Sequence, residues 1–246
     1  MHRIEKAIEF IRESRFLTAF CGAGISVESG IPPFRGEGGL WNRYDPDCLD
    51  LETYLYHPER TWKIIKEIFY DFFGQAKPNP AHYALAELEK IGYLKSIITQ
   101  NIDNLHQDAG SKNVIEFHGN SHFFVCTSCS TKYKLSELIL TNSPPLCPSC
   151  GKLLKPDFIF FGEAIPALAR DRAFRESEIT DVMLVIGTTG EVMPASMIPY
   201  IARQQGAFII EINPGNSAYQ NGVSNIVIRK SAGEVLPKIV KGVRGE

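Results

Sequence analysis

Apolar residues recur along the chain with two periods. Ile4, Ile8 and Ile11 repeat at helical spacing, with Glu5, Glu9 and Arg12 on the other side, which predicts a helix over residues 2–14. The apolar run at residues 16–21 then enters the turn Gly22-Ala23-Gly24 and predicts a buried first strand. Helical pattern returns over residues 51–73, broken near His57-Pro58, and is dense in aromatics: Tyr54, Tyr56, Trp62, Phe69, Tyr70, Phe72 and Phe73. These predict a small helical unit with its own packing rather than cofactor contacts. After Pro78, Asn79 is placed to cap a helix and Pro80 suits its first position. Ala84, Leu85, Leu88 and Ile91 form that helix's apolar face, Gly92 stops it, and His82 reads as a packed or capping group. Further strands are expected at residues 96–101, 114–117, 158–161, 181–187, 207–213 and 226–228. Ser231 and Glu234 have the spacing of a capping box opening a last helix, with Val235, Ile239 and Val240 apolar. Strands alternating with helices predict an α/β fold, a mostly parallel sheet with helices on both faces.

The glycine turn changes this picture from a fold to a site. A Gly-x-Gly turn after a buried strand lets a diphosphate rest against bare amides at a helix start. The third glycine of the usual dinucleotide fingerprint would fall at Val27 and is missing. No acidic residue follows about 20 positions later, where a dehydrogenase would hold its ribose. The turn therefore reads as a nucleotide loop of an unusual kind, or as a structural junction. The Gly- and Pro-rich residues 29–41, carrying Phe34, Arg35 and Trp41, are too bulky for a free surface loop and suit a lid. Strand ends deliver Gln100, Asn101 and Asp103, then His118, to the side of the sheet where ligands lie.

Cys126-x-x-Cys129 and Cys147-x-x-Cys150 are separated by 17 residues, the spacing of a four-thiolate zinc site. Four thiolates complete a tetrahedron and leave no place for water, so the ion would be structural. Zinc would then supply on the order of 10 kcal/mol toward folding a module with little apolar content. Disulfides or free thiols are the alternative. Cys21 and Cys48 remain, and Cys21 reads as a small core residue.

Composition excludes rather than identifies. Net charge is −2 with no dense Lys/Arg run, which disfavours direct nucleic-acid binding. No apolar segment reaches the roughly 18–20 residues of a membrane span. The amphipathic beginning is unlike a signal peptide, so the expected place is the cytoplasm.

Taken in order, Gly-Ala-Gly-Ile-Ser, Gly-Ile-Pro-x-Phe-Arg-Gly, Thr-Gln-Asn-Ile-Asp, His-Gly, the paired Cys-x-x-Cys and Phe-Phe-Gly-Glu resemble the sirtuin family of NAD-dependent protein-lysine deacylases. The match runs from about Phe10 to Val240. The resemblance implies a Rossmann-like NAD-binding domain from residues 1–35, 76–118 and 158–246. It also implies a small domain made of a helical insertion, 36–75, and the zinc-binding module, a four-cysteine zinc ribbon over 119–157. An acetylated-lysine protein or peptide and NAD+ would enter the cleft between them. The acyl oxygen attacks the anomeric carbon of the nicotinamide ribose and nicotinamide leaves. Water then completes the transfer to give free lysine and O-acetyl-ADP-ribose.

The resemblance also implies roles. His118 is the base for a ribose hydroxyl, a task that suits an imidazole near neutrality; His106 is its main competitor. Asn101 orients the water or ribose, and Asp103 holds the nicotinamide carboxamide and ribose. Cofactor contacts fall to Gly22, Ala23, Gly24, Phe34, Arg35 and Trp41; to Gln100, Asn101, Ile102 and Asp103; to Gly187, Thr188 and Thr189; and to Asn213, Pro214, Gly215 and Ala232. Phe34 would shield the reactive carbon from early hydrolysis. Ile159, Phe161, Gly162, Glu163 and Val192 would clamp the peptide as an added strand. Cys126, Cys129, Cys147 and Cys150 would hold one structural Zn2+.

This sequence departs from the family at Pro33, Cys21 and the pair Thr188-Thr189. It also lacks the Tyr-x-x-Arg pair of succinyl- and malonyl-preferring members; Lys66, Phe69 and Tyr70 occupy that region. Acetyl or similarly neutral acyl groups are therefore expected. The alternatives are protein mono-ADP-ribosylation at the same NAD site, a zinc-ribbon nucleic-acid module and an inactive NAD sensor. A monomer is expected.

Overall fold

The structure, a computed structural model, describes residues 2–35 and 38–246. Gly36 and Glu37 of the expected lid lie outside the described residues. In chain order the regular elements begin with α1 (His2–Glu13), β1 (Leu17–Cys21), α2 (Leu51–Tyr56) and α3 (Pro58–Ile65), which runs into a π-helical stretch, Lys66–Phe72. Then come α4 (Pro80–Lys90), β2 (Leu94–Thr99), α5 (Leu105–Asp108), β3 (Val114–Glu116), β4 (Gly119–Cys126), β5 (Lys132–Lys134) and β6 (Leu154–Phe158). The chain closes with α6 (Ala167–Ile179), β7 (Val182–Ile186), α7 (Met197–Gln204), β8 (Phe208–Ile212), β9 (Ile226–Ile228) and α8 (Ala232–Arg244).

Six strands form one sheet in the order β3-β2-β1-β7-β8-β9, and every pairing in it is parallel. Alternation along β1 shows how its residues divide. Leu17, Ala19 and Cys21 face a core built with Ala7 and Ile11 of α1, Leu85 and Leu88 of α4, and Leu236 and Ile239 of α8. Phe20 faces the opposite core with Ala173 of α6 and Ile198 and Ala202 of α7. With helices on both faces, β1 and β7 are buried at every residue. That is why they read as continuous apolar runs. Strand order reverses between β1 and β7, and such a reversal opens a crevice beyond the carboxyl ends of the strands.

The start of α4 forms as its sequence predicts. Asn79 Oδ1 accepts from Ala81 N at 2.9 Å, and Asn79 N donates to His82 Nδ1 at 3.2 Å, so His82 both packs and caps. The C-terminal helix differs. Ser231 makes no side-chain cap bond, and Glu234 pairs with Lys230 and Lys238 instead. Glu28 replaces it: its carboxylate accepts from Gly233 N at 2.8 Å and from Ser231 Oγ at 3.1 Å. A carboxylate beats a hydroxyl here because it also answers the positive end of the helix.

Two further expectations are corrected. Residues 158–161 are not a strand of the large sheet. Phe158 ends β6, which belongs to a separate antiparallel sheet ordered β5-β4-β6. The next residues are stitched across the cleft, with Ile159 N donating to His118 O at 2.8 Å and Phe161 N to Leu49 O at 2.7 Å. Nor do the aromatics of the helical insertion pack by themselves. Tyr54, Trp62, Ile65 and Phe69 share one core with Phe124, Leu154, Phe158, Cys126 and Cys147. Three ring groups of the insertion donate into the other segment: Tyr54 Oη to Leu154 O at 2.7 Å, Trp62 Nε1 to Thr141 O at 3.0 Å and Tyr70 Oη to Ser121 O at 3.2 Å. Aromatic area supplies the burial and the polar tips need partners, which the facing backbone carbonyls provide.

Candidate active site

The crevice holds a cavity of about 760 Å³. One wall comes from the turn after β1. Gly24 N donates to Gly187 O at 2.8 Å, and a Cβ on Gly24 would sit 2.6 Å from Gly187 Cα. Gly187 itself has φ +60, and a side chain there would meet Ile25 N at 2.4 Å. Two glycines are thus needed for the ends of β1 and β7 to touch. The amides of Gly22 and Gly24 are engaged by Ile186 O and Gly187 O, so they are not free to meet a diphosphate as the sequence suggested. Among the described residues Ala23 N has no backbone partner, and it is the turn's open donor.

The end of β2 forms the floor. Gln100 Nε2 donates to Thr188 Oγ1 at 3.1 Å. Asn101 is buried, and its Nδ2 donates to Gly22 O at 3.3 Å and Ser26 Oγ at 3.2 Å. Ser26 Oγ donates in turn to Asp103 Oδ2 at 2.7 Å. Burial raises the Asp103 carboxyl above the usual range, while the Ser26 hydroxyl and Leu105 N draw it back. Asn213 Nδ2 donates to Thr188 O at 2.9 Å and so joins the end of β8 to that of β7.

His118 lies on the wall between the two sheets. Its Nδ1 is 3.1 Å from Gln100 O. A carbonyl can only accept, so Nδ1 carries the hydrogen and Nε2 is left as a base. Burial lowers the imidazole below its ordinary value, partly offset by that bond. The turn that carries His118 is anchored by Glu116. Its Oε1 accepts from Gln107 Nε2 at 2.7 Å and Asn120 Nδ2 at 2.7 Å, tying α5 to the start of β4. Gly119 follows at φ +75, where a Cβ would lie 2.3 Å from Asp157 O. His106, the competing histidine, is buried away from the cavity with both ring nitrogens unpartnered.

The lid loop closes on itself through Leu40 N to Pro33 O at 2.9 Å and Trp41 N to Phe34 O at 3.1 Å. The Phe34 and Trp41 rings stand 5.4 Å apart, and both line the cavity with Arg35. Nearly all the sequence-derived candidates meet at this one cavity: Gly22, Ala23, Gly24, Phe34, Arg35, Trp41, Gln100, Asn101, Ile102, His118, Ile159, Phe161, Gly162, Glu163, Gly187, Thr188, Thr189, Val192, Asn213, Pro214 and Gly215. Asp103 and Ala232 are not on its wall; Asp103 is bonded to Ser26, which is also off the wall, and Ser231 and Glu28 line the cavity where Ala232 was expected. Sequence reasoning also missed Leu49, Phe158, Phe160, Ile165, Met193 and Pro194. Leu49 arrives only through its long-range bond with Phe161, which leaves no local pattern to read.

The four module cysteines converge. Their sulfurs all lie within 4.8 Å of one another, and three pairs are at 3.5, 3.6 and 3.8 Å. Zinc–sulfur bonds of about 2.3 Å in a tetrahedron place sulfurs about 3.8 Å apart, so the set fits the ion. Ser128 N and Cys129 N each point at Cys126 Sγ from 3.4 Å. Cys21 and Cys48 are buried elsewhere, and burial raises both thiols, Cys48 to about 11.

Comparison with known proteins agrees with this geometry. The Sir2 family model matches residues 22–194. The NAD-dependent protein deacylase of Pyrococcus furiosus is 47% identical over 246 residues, covering 96% of each chain. NAD-dependent protein deacetylase 1 of Pyrobaculum aerophilum is 42% identical over 244 residues, 98% of this chain and 95% of the relative. A solved Sir2 homolog–NAD complex superposes with a TM-score of 0.91 at 44% identity, over 98% of this chain and 94% of that one. A Sir2 variant solved with a deacetylated p53 peptide and 3'-O-acetyl-ADP-ribose gives 0.91 at 34% identity, over 97% and 98%.

Proposed function

The chain belongs to the Sir2 family, and on that premise we propose that it is an NAD-dependent protein-lysine deacetylase. It moves the acetyl group of N6-acetyl-lysine to ADP-ribose and releases nicotinamide and O-acetyl-ADP-ribose. NAD+, once bound, supplies a sugar carbon whose bond to a cationic nicotinamide is ready to break.

The residues divide the remaining work. Ala23 N and Arg35 meet the diphosphate. Thr188, Thr189, Asn213, Pro214 and Gly215 hold the adenosine end, beside Ser231 and Glu28. Gln100 and Asn101 orient the nicotinamide ribose, and Asp103, bonded to Ser26, holds the nicotinamide carboxamide and ribose. Phe34 and Trp41 close over the reactive carbon and keep water out. His118 takes a ribose-hydroxyl proton on Nε2. Ile159, Phe161, Gly162, Glu163 and Val192 clamp the peptide backbone. Residues 1–35, 76–118 and 158–246 form the NAD-binding domain, and 36–75 with 119–157 form the small domain, supported by the shared core of the latter two. One Zn2+ on Cys126, Cys129, Cys147 and Cys150 is structural, since four sulfurs leave no coordination site for substrate.

The observation that carries the reading is the locked imidazole: Nδ1 fixed by Gln100 O and the ring on the cavity wall. The enzyme acts on acetylated protein as a cytoplasmic monomer, without nucleic acid or membrane. A metal-type cysteine cluster in place of disulfides and a net charge of −2 support this. Among the described residues no helix is long and apolar enough to cross a membrane. The test is nicotinamide release from NAD+ with and without an acetyl-lysine peptide, for the wild type and His118→Ala. Peptide-dependent release that vanishes in the variant supports the reading. Label passing from NAD+ onto protein instead of onto acetyl-ADP-ribose overturns it.

A further inference from the structure

Lys155, on β6, is only 5% exposed. Its ammonium donates to Pro156 O at 2.8 Å and Phe158 O at 2.7 Å, and lies 3.0 Å from Glu163 Oε2. The same carboxylate oxygen accepts from Phe160 N at 2.7 Å. The ammonium also stands 4.3 Å from the centre of the Phe160 ring. Glu163 N donates back to Phe160 O at 3.0 Å. Every donor of the lysine is therefore used within one short stretch of chain.

Burying a lysine strips its ammonium of water, and an apolar pair of the same shape often stabilises as well or better. Stability alone is a poor reason for the pair. What the pair does fix is the path of the chain between its ends. Residues 158–163 leave the small sheet at β6 and afterwards keep a single parallel bridge, Phe161 with Asp50, so most of their path is set by other contacts. Yet each of them lines the cavity, whereas Lys155 does not.

We propose that Lys155 is a positioning residue for the acyl-lysine peptide: through Glu163 and the carbonyls of Pro156 and Phe158 it sets the curve of residues 158–163 before the peptide arrives. The inference rests on the deacetylase reading above and names the residue that prepares the peptide wall. A strand that adds to this wall needs its backbone donors and acceptors already aligned. If the segment had to order on contact, each residue's lost freedom would weaken binding. The cofactor end, at the turn after β1 and the end of β8, is built from other elements. Loss of the staple should therefore be felt by the peptide and not by NAD+.

The test uses the full chain as wild type, Lys155→Met, Glu163→Gln and the double variant. Amide hydrogen exchange is measured across residues 159–163, and KM is measured separately for an acetyl-lysine peptide and for NAD+. In Lys155→Met, exchange at 159–163 should quicken while β1 and β7 are unchanged. Peptide KM should rise about tenfold with NAD+ KM within about twofold, the signature of lost ground-state positioning. The double variant should recover part of that loss, because it removes the half-buried carboxylate charge that the single change leaves unpaired. Unchanged exchange at 159–163 overturns the inference. So does a fall in melting temperature with both KM values moving together, as a merely structural lysine would give. If Lys155→Met does not fold, Glu163→Gln is read by exchange at residues 159–163 alone, because Glu163 itself faces the peptide: faster exchange supports the inference and unchanged exchange overturns it. Wild type that fails to deacetylate would sink the deacetylase reading, while the exchange comparison still decides whether Lys155 fixes the segment.

Discussion

His118 Nδ1 and the carbonyl oxygen of Gln100 are 3.1 Å apart, which binds the end of β2 to the turn after β3 through a side chain. The base is thereby held in one tautomer, and burial lowers its pKa below the ordinary imidazole value of 6.5. The rate needs the neutral ring, so kcat/KM should fall on acidification through a value under 6.5. His118→Ala should lose that limb and about 10²–10⁴ in rate, the usual contribution of a positioned base. A pH–rate profile with the limb above that ordinary value would contradict the assignment.

Acid sensitivity of folding should come from a second pair of histidines. His82 is pushed down to about 4 and His106 to about 3, both by burial. The unfolded chain takes up these protons near 6.5 and the folded chain does not. Stability is thus unaffected above that pH and falls as pH drops below it, by up to roughly 1.4 kcal/mol per pH unit per group. His106→Leu should flatten the decline. Melting temperatures at about pH 7 and about pH 5 for both proteins check this.

Gly187→Ala is expected to separate β1 from β7. The added methyl would lie 2.4 Å from Ile25 N at a φ of +60. We expect a loss of about 1–3 kcal/mol in unfolding free energy, as for other overpacked sites, together with weaker NAD+ binding by calorimetry. Full affinity in the variant would mean that the contact at the switch point is dispensable.

Trp62 should report on the metal. It packs in one core with Cys126 and Cys147, and its indole donates to Thr141 O. Cys147→Ser, or chelation, should release one zinc per chain and change Trp62 fluorescence, with the large sheet still folded by far-UV circular dichroism. A full complement of zinc in the variant would argue against a four-thiolate site.

Acyl preference follows from charge. Lys66 pairs with Asp71 at 2.8 Å and Tyr70 donates to Ser121 O, and neither lines the cavity. No second cation from that helix is available to an acidic acyl group. Acetyl should leave a matched peptide about tenfold faster than succinyl or better, since a carboxylate buried without a partner loses more than about 1.4 kcal/mol. Faster desuccinylation would reverse the conclusion.

Local chemistry was legible from the residues, and long-range placement was not. The Asn79 cap, the strand entering Gly22 and the cysteine spacing each depend on neighbours in sequence, and each is found in place. Residues 158–161 look like a strand because Phe158, Ile159, Phe160 and Phe161 are all apolar. They are apolar because they pass between one core and a cavity, which no period records. The Ser231 cap failed for a similar reason: Glu28, some two hundred residues earlier, takes the Gly233 amide and the Ser231 hydroxyl itself. Asp103 is expected from its motif to hold the nicotinamide carboxamide and ribose; in the fold its carboxylate accepts from Ser26 Oγ, a long-range partner that no local pattern announces.

The joint core under the small sheet has a bearing on biosynthesis. Tyr54, Trp62 and Phe69 leave the ribosome well before Phe124, Leu154 and Phe158, which cover them. Until β6 has emerged, the nascent chain carries an aromatic face with no mate, the kind of surface chaperones seize. Truncations that stop short of Phe158 should therefore be sticky, however complete their helices are.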